Sequence, residues 1–89
     1  MGPAAVSEVI VYTTRTCPYC RLAKDLLSRR GIAYREVDVT DQEEFRDLLE
    51  RLTGGRTVPQ VVIGGRPVGG YEELRRLEES GDLDRIFSR

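Results

Sequence analysis

Eighty-nine residues, with 14 basic and 15 acidic side chains, a net charge of −1 and no histidine, suffice for one domain of two packed layers and no second lobe. The charges are interleaved, which leaves no basic stripe for nucleic acid or an anionic membrane. No apolar run reaches the roughly 18 residues of a membrane span, and the absence of histidine removes both the usual proton shuttle and any mixed Cys/His metal set.

Residues 1–7 lack the basic start and apolar middle of a secretory signal and read as a loose N-terminal tail on a single domain spanning 8–89. The expected location is therefore cytoplasmic. Glu8 to Thr13 is a short, largely β-branched run whose near-continuous apolar character predicts a central strand buried on both faces. A helix opens at Thr16/Cys17, carries Tyr19, Leu22, Ala23, Leu26 and Leu27 on one face, and stops at Gly31. Ile32 to Val39 predicts a second strand. Thr40 and Glu43 then form a T-x-x-E capping box ahead of a helix with Phe45, Leu48, Leu49 and Leu52 at helical spacing, ended by Gly54 and Gly55. Gln60 to Ile63 and Arg66 to Val68 read as two strands joined by the Gly64-Gly65 turn, with Pro67 confining the second to an edge. Gly69-Gly70 leads into a third helix carrying Leu74 and Leu77, Gly81 breaks it, and Asp82 caps a short last helix with Leu83, Ile86 and Phe87. The order βαβαββα(α) predicts an α/β fold: two parallel strands joined by a crossover helix, then an antiparallel hairpin, in one mixed sheet.

The only two cysteines are Cys17 and Cys20, in Cys17-Pro18-Tyr19-Cys20 at the start of the first helix. At i and i+3 two side chains share a helical face about 5–6 Å apart, within the range a disulfide requires, so such a pair can close and reopen without refolding the domain. Pro18 suits the first helical turn because it has no N–H to satisfy. Cys17 then faces unpaired donors at the positive end of the helix dipole, where a thiol ionises more readily. A C-x-x-C also reads as half a zinc site or as two buried thiols. Structural zinc takes four ligands, however, and this chain offers two, whereas a C-x-x-C after a strand in a βαβ pattern is the thioredoxin-like redox arrangement.

These residues resemble the glutaredoxins, in particular their dithiol class with a C-P-Y-C active site. Val11-Tyr12-Thr13 followed by Thr16 to Cys20, then Ala23-Lys24 and Leu26-Leu27, is similar to that family's first β-α unit. Thr57-Val58-Pro59-Gln60 is similar to its T-V-P element, and Gly69-Gly70 to the glycine pair opening its third helix. The resemblance implies a thioredoxin fold with four strands in spatial order 2-1-3-4. It also implies glutathione-dependent reduction of protein disulfides and of glutathionylated proteins, with glutathione as reductant and no metal.

On that resemblance the Val58-Pro59 bond is expected to be cis, leaving the Val58 N–H and C=O for a peptide such as glutathione, although Pro59 also reads as an ordinary strand-entry proline. Glycines before a helix let an anion approach its first N–H groups, so Gly69 and Gly70 would suit the γ-glutamyl carboxylate; they also read simply as a strand end. Arg56 would face the carboxylate at the glycine end of the ligand, with Arg15, Tyr19, Thr57, Tyr71 and Glu72 as further contacts. Arg21 and Lys24 read equally as thiolate stabilisers and as surface residues. Many relatives carry lysine three residues before the first cysteine, where this chain has Thr14, and a smaller residue where it has Tyr71.

The expected roles are Cys17 as nucleophile and Cys20 as resolving thiol. The alternative within oxidoreductases is a thioredoxin-like carrier reduced by a flavin disulfide reductase; one of a different class is a scaffold or sensor that binds an iron–sulfur cluster across a dimer, against which Pro18 argues because relatives that do so mostly lack that proline. A third is a non-catalytic interaction domain with inert cysteines. Arg66 and Pro67 blunt the edge strand, so a monomer is expected.

Overall fold

In a computed structural model residues 8–54 and 58–87 are described. The expected tail 1–7, and Arg56 and Thr57 of the expected binding set, lie outside them. Eight elements follow in chain order: β1 (Val9–Thr13), α1 (Pro18–Arg29), β2 (Arg35–Asp38), α2 (Glu43–Thr53), β3 (Gln60–Ile63), β4 (Arg66–Gly69), α3 (Tyr71–Ser80) and α4 (Asp82–Phe87). The sheet order is β2-β1-β3-β4. β1 runs parallel to β2 and antiparallel to β3, with Val9 opposite Ile63 and Val11 opposite Val61. β3 and β4 form the antiparallel hairpin across Gly64-Gly65. This is the thioredoxin fold, in the strand order expected.

Val9, Val11, Val61 and Ile63 from the sheet meet Ala23, Leu26 and Leu27 of α1, Leu74 of α3 and Leu83 of α4 in one buried cluster. The alternation of the strand sends Val9, Val11 and Thr13 to this dry side, while Ile10 and Tyr12 on the other side are half-buried. β1 is thus fully covered on one face only. In α1 the buried stripe is Cys20, Ala23, Leu26 and Leu27, a helical i, i+3, i+6, i+7 spacing. Tyr19 and Leu22, expected on that face, are instead 57% and 42% exposed, because they lie off the stripe. No helix among the described residues is long and apolar enough to cross a membrane.

Three further local expectations are corrected. β2 is shorter than Ile32 to Val39, because the chain leaving α1 stays tied to it: the Gly31 N–H donates to the Ser28 carbonyl at 3.0 Å and the Ile32 N–H to that of Leu27 at 2.9 Å. Thr40 does not cap α2. Its N–H donates to Asp38 Oδ1 at 2.8 Å and its hydroxyl to the same oxygen, while Thr40 Oγ1 accepts the Arg15 N–H at 2.9 Å, so the cap position falls to Gln42, which makes no side-chain cap bond. Asp82 is the first residue of α4 rather than its cap, and its carboxylate pairs with Arg85 one turn on, at 3.1 Å.

Candidate active site

β1 ends at Thr13 and α1 begins at Pro18, which places Cys17 at the N-cap of α1 in an extended conformation. The Cys17 sulfur accepts the Cys20 N–H at 3.1 Å, satisfying one of the donors that a helix start leaves unpaired. On its other side the Cys17 thiol donates to the Val58 carbonyl at 3.4 Å. The Val58-Pro59 bond is cis, as the family resemblance implied. Cys17 is half-buried and Cys20 fully buried. Burial, and then the contact with Cys17, push the Cys20 thiol up to about 12; the nearby Lys24 ammonium pulls the other way.

Two hollows of different chemistry meet near Cys17, which lines one of them and touches the other through Val58. Tyr19, Val58, Pro59, Gly70, Tyr71, Glu72 and Glu73 line a cleft of about 280 Å³. It brings together six of the residues expected to bind glutathione. The Tyr19 and Tyr71 rings flank it, centroids 6.1 Å apart and planes tilted by 36°, within the usual spacing of interacting aromatic pairs. Glu72 is held by Arg75 at 3.1 Å.

Glu73 was missed in the sequence. Its Oε1 accepts the Gly70 N–H at 2.9 Å, the return half of a capping box on α3, so a carboxylate of the protein already occupies one of the donors expected to face an anion. The signal was present: a glutamate stands three places after Gly70. Gly69 does not line the cleft and packs behind it, against the Glu73 side chain.

The second hollow, a groove of about 380 Å³, is lined by Thr14, Arg15, Thr16, Cys17, Pro18, Cys20, Arg21 and Lys24. Arg15 therefore lies here and not in the cleft with the other expected contacts. Its guanidinium pairs with Asp41 at 3.2 Å. Lys24, one turn past Cys20, pairs with Glu36 of β2 at 3.0 Å, and the same carboxylate oxygen accepts the hydroxyl of buried Thr13 at 2.8 Å. The Thr13 hydroxyl first and the Lys24 ammonium second hold the Glu36 carboxyl below the usual carboxylate range. Glu36 in turn raises Lys24, keeping it charged. Among the described residues, no group of three or more Cys, Asp or Glu side chains converges as a metal site would require. A larger hollow of about 670 Å³ between β4 and α3, lined by Ile63, Val68 and Leu77 together with Arg66 and Arg76, shares Glu73 with the cleft but includes neither cysteine.

A thiol at a helix N-cap, a buried partner one turn inside and, against the first sulfur, the carbonyl of the residue before a cis-proline, all on a thioredoxin-type sheet, define a thiol-disulfide oxidoreductase. Residues 9–68 match the family model of the glutaredoxins, and the chain belongs to that family. It is 45% identical over 80 residues to a glutaredoxin of Pseudomonas aeruginosa, covering 90% of this chain and 95% of that protein. The solution structure of a glutaredoxin from Brucella melitensis superposes with a TM-score of 0.84 at 41% identity, covering 97% and 94% of the two chains. A buckwheat glutaredoxin–glutathione complex gives 0.83 at 30% identity, covering 91% and 76%.

Proposed function

We propose that this oxidoreductase draws its electrons from glutathione and acts on disulfide-bonded and glutathionylated client proteins in the cytoplasm, as a monomer. The observation that carries the reading is the placement of the Cys17 sulfur, bonded to the Cys20 N–H at 3.1 Å and set 3.4 Å from the carbonyl of Val58, a residue that lines the cleft. The buckwheat complex supports glutathione as the occupant of the cleft.

With a glutathionylated client, Cys17 thiolate attacks the glutathionyl sulfur, the client sulfur leaves as a thiolate that takes a proton from water, and Cys17 carries the glutathionyl group. A second glutathione thiolate then attacks that sulfur, forming glutathione disulfide and freeing Cys17. With a client disulfide, Cys17 attacks one client sulfur and the other leaves. Cys20 then attacks the Cys17 sulfur, the client departs reduced, and the resulting Cys17–Cys20 disulfide is reopened by two glutathiones.

Only the second route needs Cys20, and the mixed disulfide helps to release it. The hydrogen bond and charge of Cys17 both raise the Cys20 thiol; once Cys17 is in a disulfide it has neither proton nor charge, so Cys20 ionises more readily at the moment it must attack. In the cleft, the Val58 N–H and C=O would pair with the cysteinyl residue of glutathione. The Tyr71 and Glu72 N–H groups would face its γ-glutamyl carboxylate, and Glu72 its ammonium. Arg56 and Thr57 complete this set by family resemblance.

One observation favours a second reading. Glu72 and Glu73 both border the cleft and oppose an anionic ligand, which suits a thioredoxin-like carrier served by a flavin disulfide reductase. The test is turnover of a glutathionylated peptide with glutathione, glutathione reductase and NADPH, beside the same mixture with thioredoxin reductase in place of the glutathione system. Glutathione-dependent turnover, abolished in Cys17→Ser and retained in Cys20→Ser, is expected. Turnover with the flavin reductase alone overturns the glutathione assignment, and activity in Cys17→Ser overturns the mechanism.

A further inference from the structure

We propose that the groove on the side of Cys17 away from the cleft is the docking surface for the client polypeptide, and that it selects clients whose reactive cysteine is flanked by acidic side chains. The inference rests on the reading of Cys17 as nucleophile. Three cations, Arg15, Arg21 and Lys24, line the groove beside the Cys17 sulfur, and no carboxylate does. Among the described residues, the cleft is lined by two carboxylates, Glu72 and Glu73, and by no cation. In a chain whose net charge is only −1, opposite signs among the described residues are thus sorted into two separate hollows beside the dithiol.

The partners of the cations reinforce this. Asp41 and Glu36 hold Arg15 and Lys24 in place without lining the groove themselves. Arg21 is exposed and has no ion-pair partner among the described residues; its N–H donates to the Cys17 carbonyl at 3.4 Å, so it stands one turn beyond the nucleophile. With the glutathionyl half of a mixed disulfide in the cleft, the residues flanking the client cysteine are left facing Arg15 and Arg21. Within the screening length of about 8 Å at physiological salt, complementary charge raises the encounter rate and rejects like-charged partners.

The test uses three glutathionylated peptides of equal length, with the reactive cysteine flanked by Asp, by Ser or by Lys. For the wild-type protein, kcat/KM should be about fivefold to tenfold higher for the Asp peptide than for the Lys peptide at low salt. The ratio should approach one at about 1 M salt, a readout that needs no variant. Arg21→Glu should reverse the preference at low salt while the KM for glutathione stays as it was. Turnover of the Ser peptide with equal Asp and Lys rates at low salt overturns the proposal. So does an Arg21→Glu effect confined to the KM for glutathione, which would assign the groove to glutathione instead of to the client. Failure to turn over even the Ser peptide refutes the function proposed above, which separates the two failures.

Discussion

Gly69→Ala should destabilise the protein by about 2–4 kcal/mol, through two effects that the geometry separates. Gly69 has φ +119, a region that costs an L-residue roughly 1–3 kcal/mol. A Cβ built there also stands 2.9 Å from Cγ of Glu73 and 3.1 Å from its Cδ and Oε1, the very side chain that receives the Gly70 N–H. Moving that carboxylate aside forfeits a capping interaction of about 0.5–2 kcal/mol. Gly81→Ala isolates the first effect, since φ is +87 with no atom within 4 Å, and should cost about 1–2 kcal/mol. Gly70→Ala introduces neither: φ is −92, and the added methyl has ordinary contacts of 3.4 Å to the Pro59 carbonyl oxygen and 3.6 Å to Glu73, so it should cost less than about 1 kcal/mol.

Urea denaturation of the reduced proteins gives the three values, with unchanged slopes confirming that the midpoints report stability. A double-mutant cycle with Glu73→Ala is decisive. If Glu73 is what the new methyl meets, Gly69→Ala with Glu73→Ala should cost about 1 kcal/mol less than the sum of the singles. Strict additivity, or a Gly69→Ala loss no larger than that of Gly81→Ala, would refute the reasoning.

Leu26→Ala, at a fully buried position, should cost about 2–5 kcal/mol. Leu22→Ala, at a position 42% exposed, should cost under about 1 kcal/mol; equal urea midpoints would contradict the corrected face of α1. Thr13→Val removes the hydroxyl that donates to Glu36 at 2.8 Å, for about 0.5–1.5 kcal/mol at neutral pH. Because Glu36 titrates below its ordinary value, its contribution to stability is present above the normal carboxylate range and is lost as pH falls through the lowered value. Denaturation between about pH 5 and pH 3 should therefore show a steeper acid loss in wild type than in Thr13→Val. Cys20 has the opposite sign. Its raised value means that reduced protein loses stability as pH climbs from 9.0 toward about 12, and alkaline denaturation of Cys20→Ala should lack that part of the loss.

The parts of this molecule that depend on local periodicity and on glycine and proline placement were readable from the chain. The parallel pair, the hairpin at Gly64-Gly65 and the helix opening at Cys17-Pro18 are of that kind, the cysteines fell where their spacing put them, and the strand order 2-1-3-4 followed only from the family resemblance. What escaped was competition between side chains. Thr40 has the right spacing to Glu43 for a capping box, yet Asp38 lies two residues away and takes its hydrogen bonds, a contest that a single motif does not express. Tyr19 and Leu22 satisfy a loose helical face, but the buried stripe is narrower and runs through Cys20 and Ala23. The Thr13–Glu36–Lys24 chain of contacts joins three elements across the parallel β1–β2 pair, and no spacing in the sequence announces it. Arg15, close to the cysteines in the chain, was grouped with the ligand contacts, and only the three-dimensional arrangement assigns it to the other side of the sulfur.

The two hollows draw on different stretches of the chain. Both cysteines and the three groove cations precede residue 25, whereas every cleft residue except Tyr19 follows residue 57. The two stretches are joined in the sheet by the antiparallel β1–β3 ladder, Val9 against Ile63 and Val11 against Val61. A hybrid that crosses over between relatives just before Val58 inherits its cysteines from one parent and most of the cleft lining from the other, provided that this ladder and the packing of Leu74 and Leu83 against α1 are both kept. Heredity can in this way reshape the cleft by exchanging the C-terminal third of the chain, while the dithiol and the cationic groove beside it descend unaltered.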